Sequence, residues 1–373
     1  MILKEILAEI HDWAPPGIAQ SYDNVGLQIG DPAQEISCGL IALEVTPAVI
    51  SEAEDAGAQL IVTHHPLIFR PIRSISTASL VGATALRLAR SGIALVAAHT
   101  NLDAVKDGVS NALADLLGLT GREFLSPLSE GMLKLVTFVP ADHAEAVRES
   151  MSRAGAGRIG DYSDVAFKSQ GFGVFRPLAS ADPFIGTASG GVESVQEWRI
   201  EVALTRDRLQ AVIGALYDAH PYETPVFDVY EMVETVSGFG LGIIGNLAEP
   251  EPLPKFLDRV CSRLLTKAVR YTGDPSADVR RVAVCGGAGR DLIPTAMRRG
   301  ADAYVTSDIS YHSFFEVQDG DGNPRMALID AGHYETEAAT ETLLLEWLTD
   351  RAPAVSWVRT TTRTSPIATF IST

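Results

Sequence analysis

The sequence predicts an α/β protein: two similar α/β halves (residues 1–129 and 232–373) form one domain, interrupted by a ferredoxin-like α+β insert over 130–231. Three observations predict it. Short apolar runs alternate with helical spacing from Gly39 onward, and the last third of the chain repeats that alternation. Between them lies a block whose apolar residues alternate as in strands with one wet face.

The first thirteen residues read as a helix with an apolar stripe at Ile2, Ile6, Leu7 and Ile10. Glu5 and Glu9 fall where a signal peptide needs apolar residues, so the expectation is a helix instead of a secretion signal. Residues 39–43 form a buried strand, 47–53 a helix, and Gly57 a helix stop. A second strand over 60–62 runs into Thr63-His64-His65-Pro66, and a helix over about 79–90 leads to a third strand at 93–96. This order predicts a parallel sheet covered on both faces, with ligands at the carboxyl ends of its strands.

In the insert, 133–139 alternates as a strand and 142–154 as an amphipathic helix, followed by a glycine loop over 155–160. A strand over 197–203, a helix over 206–219 and a strand over 226–230 complete a ferredoxin-like order. Gly238-Phe239-Gly240-Leu241-Gly242 marks the return to the interrupted domain.

There the pattern starts again: a strand over 281–285, a helix over 292–299, and a strand reached through Gly300-Ala301-Asp302-Ala303-Tyr304-Val305-Thr306. That segment matches Gly57 to Thr63 residue for residue in position, and 326–329 parallels 93–96. Each of those last strands is followed by a histidine with a carboxylate four residues on, His99 with Asp103 and His333 with Glu337. An internal duplication explains this, and it places two like halves across a cleft.

Composition bounds the partners. The 373 residues are 46% hydrophobic and carry 47 acidic against 30 basic side chains, a formal charge of −17. With no long Lys/Arg block, such a surface disfavours nucleic acid and anionic membranes. Three cysteines, Cys38, Cys261 and Cys285, without a CxxC, argue for a reducing compartment and against a cysteine-rich zinc site. The longest uncharged apolar stretch, 235–248, is too short to span a bilayer. The expectation is a soluble, cytoplasmic protein.

Eight histidines locate the chemistry. His64 and His65 leave a strand in divergent directions, so each can serve a different ion. His333 and Glu337 share a helix face if a helix starts near 333. The duplication brings His64, His65, His99, Asp103, His333 and Glu337 to one cleft, a set that suits two divalent ions bridged by Glu337 or Asp103. Imidazole and carboxylate ligands fit Zn, Mn, Fe, Co or Ni alike. Two further segments keep two readings each. The glycine run from Cys285 to Asp291 is a phosphate loop or a tight turn, and Tyr22-Asp23-Asn24 is an Asx turn or part of a substrate site. His220-Pro221-Tyr222-Glu223 reads first as a turn and second as a group reaching the cleft.

Four ordered motifs resemble the NIF3-like family, also named GTP cyclohydrolase 1 type 2 homologs. They are Tyr22-Asp23-Asn24-Val25-Gly26-Leu27, Thr63-His64-His65-Pro66-Leu67-Ile68-Phe69, His99-Thr100-Asn101-Leu102-Asp103, and Asp330-Ala331-Gly332-His333-Tyr334-Glu335-Thr336-Glu337. The insert is similar to that of the long bacterial members through Gly157-Arg158-Ile159-Gly160-Asp161-Tyr162-Ser163 and His220-Pro221-Tyr222-Glu223, which implies a PII/CutA-like fold for it. The resemblance implies a dinuclear metal site with His64, His65, Asp103, His333 and Glu337 as ligands and Glu337 bridging, with His99 in a supporting or proton-transfer role. It also implies a hexameric toroid, a trimer of dimers. Tyr22 replaces a common tryptophan, Glu44 a common aspartate, and Ser307 a common glycine before Asp308; none is a ligand.

The function expected from this set is a metal-dependent hydrolase, in which two ions acidify a water and His99 or Glu335 moves protons. The family name points to a purine nucleotide such as GTP, opened hydrolytically at its imidazole ring; a phosphoesterase would use the same metals. The alternative is a metal-binding regulatory or interaction protein, with the insert sensing a ligand.

Overall fold

A computed structural model of the chain describes every residue except 129–131, 160–161, 233–237 and 371–373. The chain divides into two compact units, Met1–Leu128 with Gly238–Thr373, and Ser129–Ser237. The expected junction after residue 129, the opening of the 235–248 stretch, and Gly160 and Asp161 of the insert motif lie outside the described residues.

The first half runs α1 (Leu3–Trp13), β1 (Gly26–Ile29), β2 (Cys38–Ala42), α2 (Pro47–Asp55), β3 (Leu60–Thr63), α3 (Leu80–Ser91), β4 (Ala94–Ala97), α4 (Thr100–Asp103), α5 (Val109–Leu117) and β5 (Thr120–Pro127). The insert contributes β6 (Leu133–Pro140), α6 (Ala144–Arg153), β7 (Ala166–Phe175), β8 (Glu193–Leu204), α7 (Leu209–Ala219) and β9 (Phe227–Glu231). The second half follows with β10 (Gly240–Pro252), α8 (Leu253–Arg263), β11 (Arg270–Thr272), β12 (Asp278–Val284), α9 (Ile293–Arg298), β13 (Ala303–Thr306), β14 (Ala327–Asp330), α10 (His333–Glu337), α11 (Ala339–Arg351) and β15 (Ser356–Arg359).

The first unit holds two sheets, ordered β1-β4-β3-β2-β15 and β11-β14-β13-β12-β10-β5. β2, β3 and β4 pair in parallel, and so do β12, β13 and β14. Their continuous apolar runs are explained by burial on both faces. Ile41, Leu60, Val62 and Val96 face α1 and α11 through Ile6, Ile10, Leu344 and Leu348. Leu40, Ile61 and Leu95 point the other way, onto Val49 and Ile50 of α2 and Leu88 of α3. The second sheet repeats this, with Val282, Val284 and Val305 against Phe256 and Val260 of α8, and Ala283, Tyr304 and Leu328 against Ile293 and Ala296 of α9.

Two local expectations need correction, the wholly parallel sheet and the place of Ile2 in the first helix. The sheets are mixed, because β1, β11 and β10 pair antiparallel with β4, β14 and β12, where no crossover helix is required. The helix expected over 292–299 is present as α9, preceded by a 3₁₀ turn over Arg290–Leu292 and with Pro294 in its first turn. Ile2 stands before α1, whose buried stripe is Leu3, Ile6 and Ile10.

The duplication is visible in detail. Gly57 and Gly300 both take left-handed φ (+63° and +69°) just after α2 and α9, where a side chain would be strained. Each half also lends its last helix and strand to the other sheet. α5 packs through Leu113 and Leu117 in the core of the second sheet, and β5 joins that sheet through β10. α11 packs on the first sheet, and β15 pairs in parallel with β2. The two crossings start at α4 and α10, the short helices that end in Asp103 and Glu337.

The insert forms one antiparallel sheet, β7-β8-β6-β9, with α6 and α7 on one face, a ferredoxin-like arrangement. Leu133, Leu135 and Val139 of β6 meet Val147 and Met151 of α6 and Val212 and Leu216 of α7. β7 escaped the sequence reading because its residues are mostly exposed and follow no clear period. No helix among the described residues is long and apolar enough to cross a membrane.

Candidate metal centre

His64 and His65 follow β3 directly, Asp103 ends α4 beyond β4, and His333 and Glu337 open and close α10 beyond β14. All five therefore sit at carboxyl ends of the parallel strands. Glu337 is 3% exposed and lies at the focus. Its Oε2 is 3.0 Å from His65 Nε2 and 3.0 Å from His333 Nε2, and its Oε1 is 3.7 Å from His64 Nε2. Asp103 Oδ1 is 3.6 Å from His64 Nε2. Two groups that could hold a metal ion result, His65-His333-Glu337 and His64-Asp103-Glu337, sharing Glu337; His64, His65 and His99 make a third.

The far side of each ring decides what the near side can do. His64 Nδ1 lies 2.8 Å from the Ala98 carbonyl, His65 Nδ1 3.1 Å from Glu44 Oε1, and His333 Nδ1 2.7 Å from Asp308 Oδ2. None of these acceptors can donate, so each Nδ1 carries the hydrogen and each neutral ring presents a lone pair at Nε2. Those lone pairs aim at one another and at carboxylates, with His65 Nε2 and His333 Nε2 only 3.3 Å apart. Such an arrangement repels itself unless a cation lies between.

Protons are one such cation. Burial works to lower the His65 imidazole, but Glu337 and Glu44 outweigh it and raise it to about 10. Burial is likewise outweighed at His333, where Glu337 and Asp308 raise the ring to about 9. Glu337 is held well below the usual carboxylate range, since the three imidazoles overcome its burial. Burial and the Glu337 charge push Asp103 up to about 7. Even so, His64 Nε2 and Asp103 Oδ1 are buried without a hydrogen-bond partner. A divalent metal satisfies these atoms as well, and the donor set of neutral imidazoles and carboxylates fits one.

The glycine run packs against this cluster. A Cβ on Gly287, at φ +61°, would sit 2.0 Å from Glu337 Oε1. The Gly287 and Gly289 amides donate to Thr336 Oγ1 and Thr306 Oγ1 at 3.0 and 2.9 Å. Those donors are therefore spent internally, and the turn reading holds over the phosphate loop.

His99 stands beside the cluster, its ring 5.2 Å from His64 and 5.3 Å from His65. Asp23 Oδ1 is 2.9 Å from His99 Nδ1, and Asp23 Oδ2 accepts from the Thr100 amide at 3.0 Å. The Tyr22-Asp23-Asn24 segment thus orients a histidine of the site. Glu335 contributes no atom to the cluster; its Oε1 is 2.6 Å from Arg363 Nη2. His220 and Glu223 bond within the insert, to the Phe138 carbonyl and the Asp182 amide.

Sequence reasoning assigned no role to Glu44 or Asp308, the carboxylates behind His65 and His333. Counted from Gly57 and Gly300, Ser307 and Asp308 take the places of His64 and His65, and Asp308 keeps a left-handed φ of +57° there. A non-glycine residue in that region marks a constrained position.

The model of one family, Duf34/NIF3 (NGG1p interacting factor 3), matches residues 1–366. The chain is 41% identical over 339 residues to a Mycobacterium leprae protein named GTP cyclohydrolase 1 type 2 homolog, covering 90% of this chain and 86% of that one. It is 38% identical to the Bacillus subtilis protein of the same name, covering 91% and 90%. Its fold is similar to that of a solved Bacillus cereus protein related to NIF3, with a TM-score of 0.74, 36% identity and 99% of both chains covered.

Proposed function

The chain belongs to the Duf34/NIF3 family, and from that premise we propose that it binds two divalent metal ions and acts as a hydrolase on a purine nucleotide such as GTP. The observation that carries the metal pair is the sharing of Glu337 between the His65-His333 and His64-Asp103 groups. His64, His65, Asp103, His333 and Glu337 would hold the ions. A divalent pair, when bound, supplies Lewis-acid polarisation and an acidified water. His99 moves the proton: Asp23 ties its Nδ1, which leaves Nε2 to accept and return a proton beside the ligands. The nucleotide is taken from the name shared by the relatives.

The test measures metal content, then assays GTP and a panel of phosphoesters with the native protein and with Glu337→Ala. Imidazole-ring opening of GTP that disappears in the variant supports the reading. Turnover of phosphoesters alone moves the activity to a phosphoesterase. Metal lost from Glu337→Ala with no activity to lose on any substrate sinks the hydrolase.

A regulatory, metal-binding role is the second reading, and one observation favours it. The insert carries its own cavity of about 850 Å³, walled by Phe175, Phe184 and Tyr222 around the buried Glu197, as a ligand sensor would. The assembly proposed with either reading is a homohexamer, a trimer of dimers. Light scattering should then give about six times the 39.8 kDa chain mass, and a monomer would refute it.

A further inference from the structure

The segment that follows β15 crosses both halves of the metal centre. It is first fixed to α2. Thr361 donates its amide to Glu52 Oε1 at 2.7 Å and its hydroxyl at 2.9 Å, Thr362 donates its hydroxyl to Glu52 Oε2 at 3.1 Å, and Thr360 bonds the same carboxylate. Four bonds to one side chain set the position of everything that follows.

The next two residues then part. Arg363 reaches the α10 helix, where its Nη2 is 2.6 Å from Glu335 Oε1 and its guanidinium lies 4.3 Å over the Tyr334 ring. Tyr334 and Glu335 sit between the candidate ligands His333 and Glu337. Thr364 turns to the other side and donates its hydroxyl to Glu44 Oε2. Glu44 Oε1 is the group that receives His65 Nδ1. Thr364, Glu44 and His65 thus form one chain of hydrogen bonds ending at Nε2 in the cluster.

His65 belongs to the first half and α10 to the second, yet their rings must meet at Glu337. We infer that residues 360–364 are a strap that sets this meeting, with Thr364 and Arg363 as positioning residues for metal binding. Thr364 holds the carboxylate that aims His65, and Arg363 holds the helix that carries His333 and Glu337. Neither touches a ligand atom. Their effect is on how well the site is pre-formed, as is usual for groups that orient metal ligands. The inference rests on the metal reading given above.

The experiment titrates the full chain with Zn²⁺ in competition with a chromophoric chelator and records the visible spectrum with Co²⁺, whose bands report coordination geometry. Thr364→Val and Arg363→Met are expected to weaken Zn²⁺ binding by about tenfold each, within the range of about 10–100-fold for such groups. They should also alter the Co²⁺ bands and leave the circular dichroism of the metal-free protein unchanged. Thr364→Ser, which keeps the hydroxyl, should restore both readouts, and it serves as the reference if Thr364→Val folds poorly. Variants that bind Zn²⁺ as tightly as the native protein, with unchanged Co²⁺ bands, overturn the strap and leave the metal reading standing. A native protein that binds neither ion at this site overturns both.

Discussion

Asp103 and Glu337 occupy the same place in the two halves. Each ends a short helix beyond the third parallel strand, and each brings a carboxylate oxygen close to His64 Nε2, at 3.6 and 3.7 Å. They are not equal, however. The extra methylene of Glu337 lets its other oxygen reach His65 and His333, both at 3.0 Å. One carboxylate of the duplicated pair therefore belongs to one group of candidate ligands, and the other belongs to both.

Removing the two should separate them. Glu337→Gln should abolish tight binding of both ions, while Asp103→Asn should leave about one ion per chain on His65, His333 and Glu337. Elemental analysis of the purified variants after dialysis gives the stoichiometry. Equal losses from the two variants would contradict the sharing of Glu337.

The groups behind the rings carry a second prediction. Asp308→Ala and Glu44→Ala should each lower divalent-metal affinity by about 10–100-fold, because the imidazole loses the acceptor that fixes its tautomer and orientation. Chelator competition measures it. An unchanged affinity for both would mean that the Nδ1 contacts do not orient the rings.

How far this site could be read beforehand follows from the chain itself. The strands of the two cores were legible because burial on both faces writes continuous apolar runs, as in residues 60–62 and 281–284. His99 and His333 were legible because the duplication put them after equivalent strands, and His64 and His65 because the pair closes a buried strand. The exchange of α5–β5 and α11–β15 was not, since pairing between distant strands leaves no local pattern. Thr364 and Glu44 are far apart in the sequence, and a threonine reads as an ordinary polar residue until the fold sets it against a carboxylate. Asp308 lies two residues past Thr306, where the residues of the two halves cease to match, so its role behind His333 shows only in the fold.

Gly287 tests the packing of the turn. Its left-handed φ alone makes Gly287→Ala cost about 1–2 kcal/mol, and the added Cβ meets Glu337 Oε1. The variant should lose stability and metal together, since Glu337 must move. Gly300→Ala is the control: its φ of +69° imposes similar strain, with nothing within 4 Å of the new atom. Thermal melts should show both destabilised, and metal content should fall only for Gly287→Ala. Equal metal content in the two would separate the turn from the site.

Glu341 supplies a pH dependence from outside the candidate ligand set. It lies on α11, is 7% exposed, and accepts the Leu43 amide at 3.1 Å. Burial raises it from 4.5 to about 7, more than the Leu43 hydrogen bond and Arg359 lower it. The sign follows from the raised folded value. Below about pH 4.5 the group is protonated in both folded and unfolded chains and costs nothing. Between there and about pH 7 only the folded chain retains the proton, so its contribution to stability falls as pH rises. Above pH 7 the folded state bears a buried charge, at a cost of up to roughly 2 kcal/mol after screening. Glu341→Gln keeps the acceptor for Leu43 and removes the titration. Urea melts from pH 5 to 8 should show the variant gaining on the native protein as pH rises, and a constant difference across that range would assign the native slope to other groups.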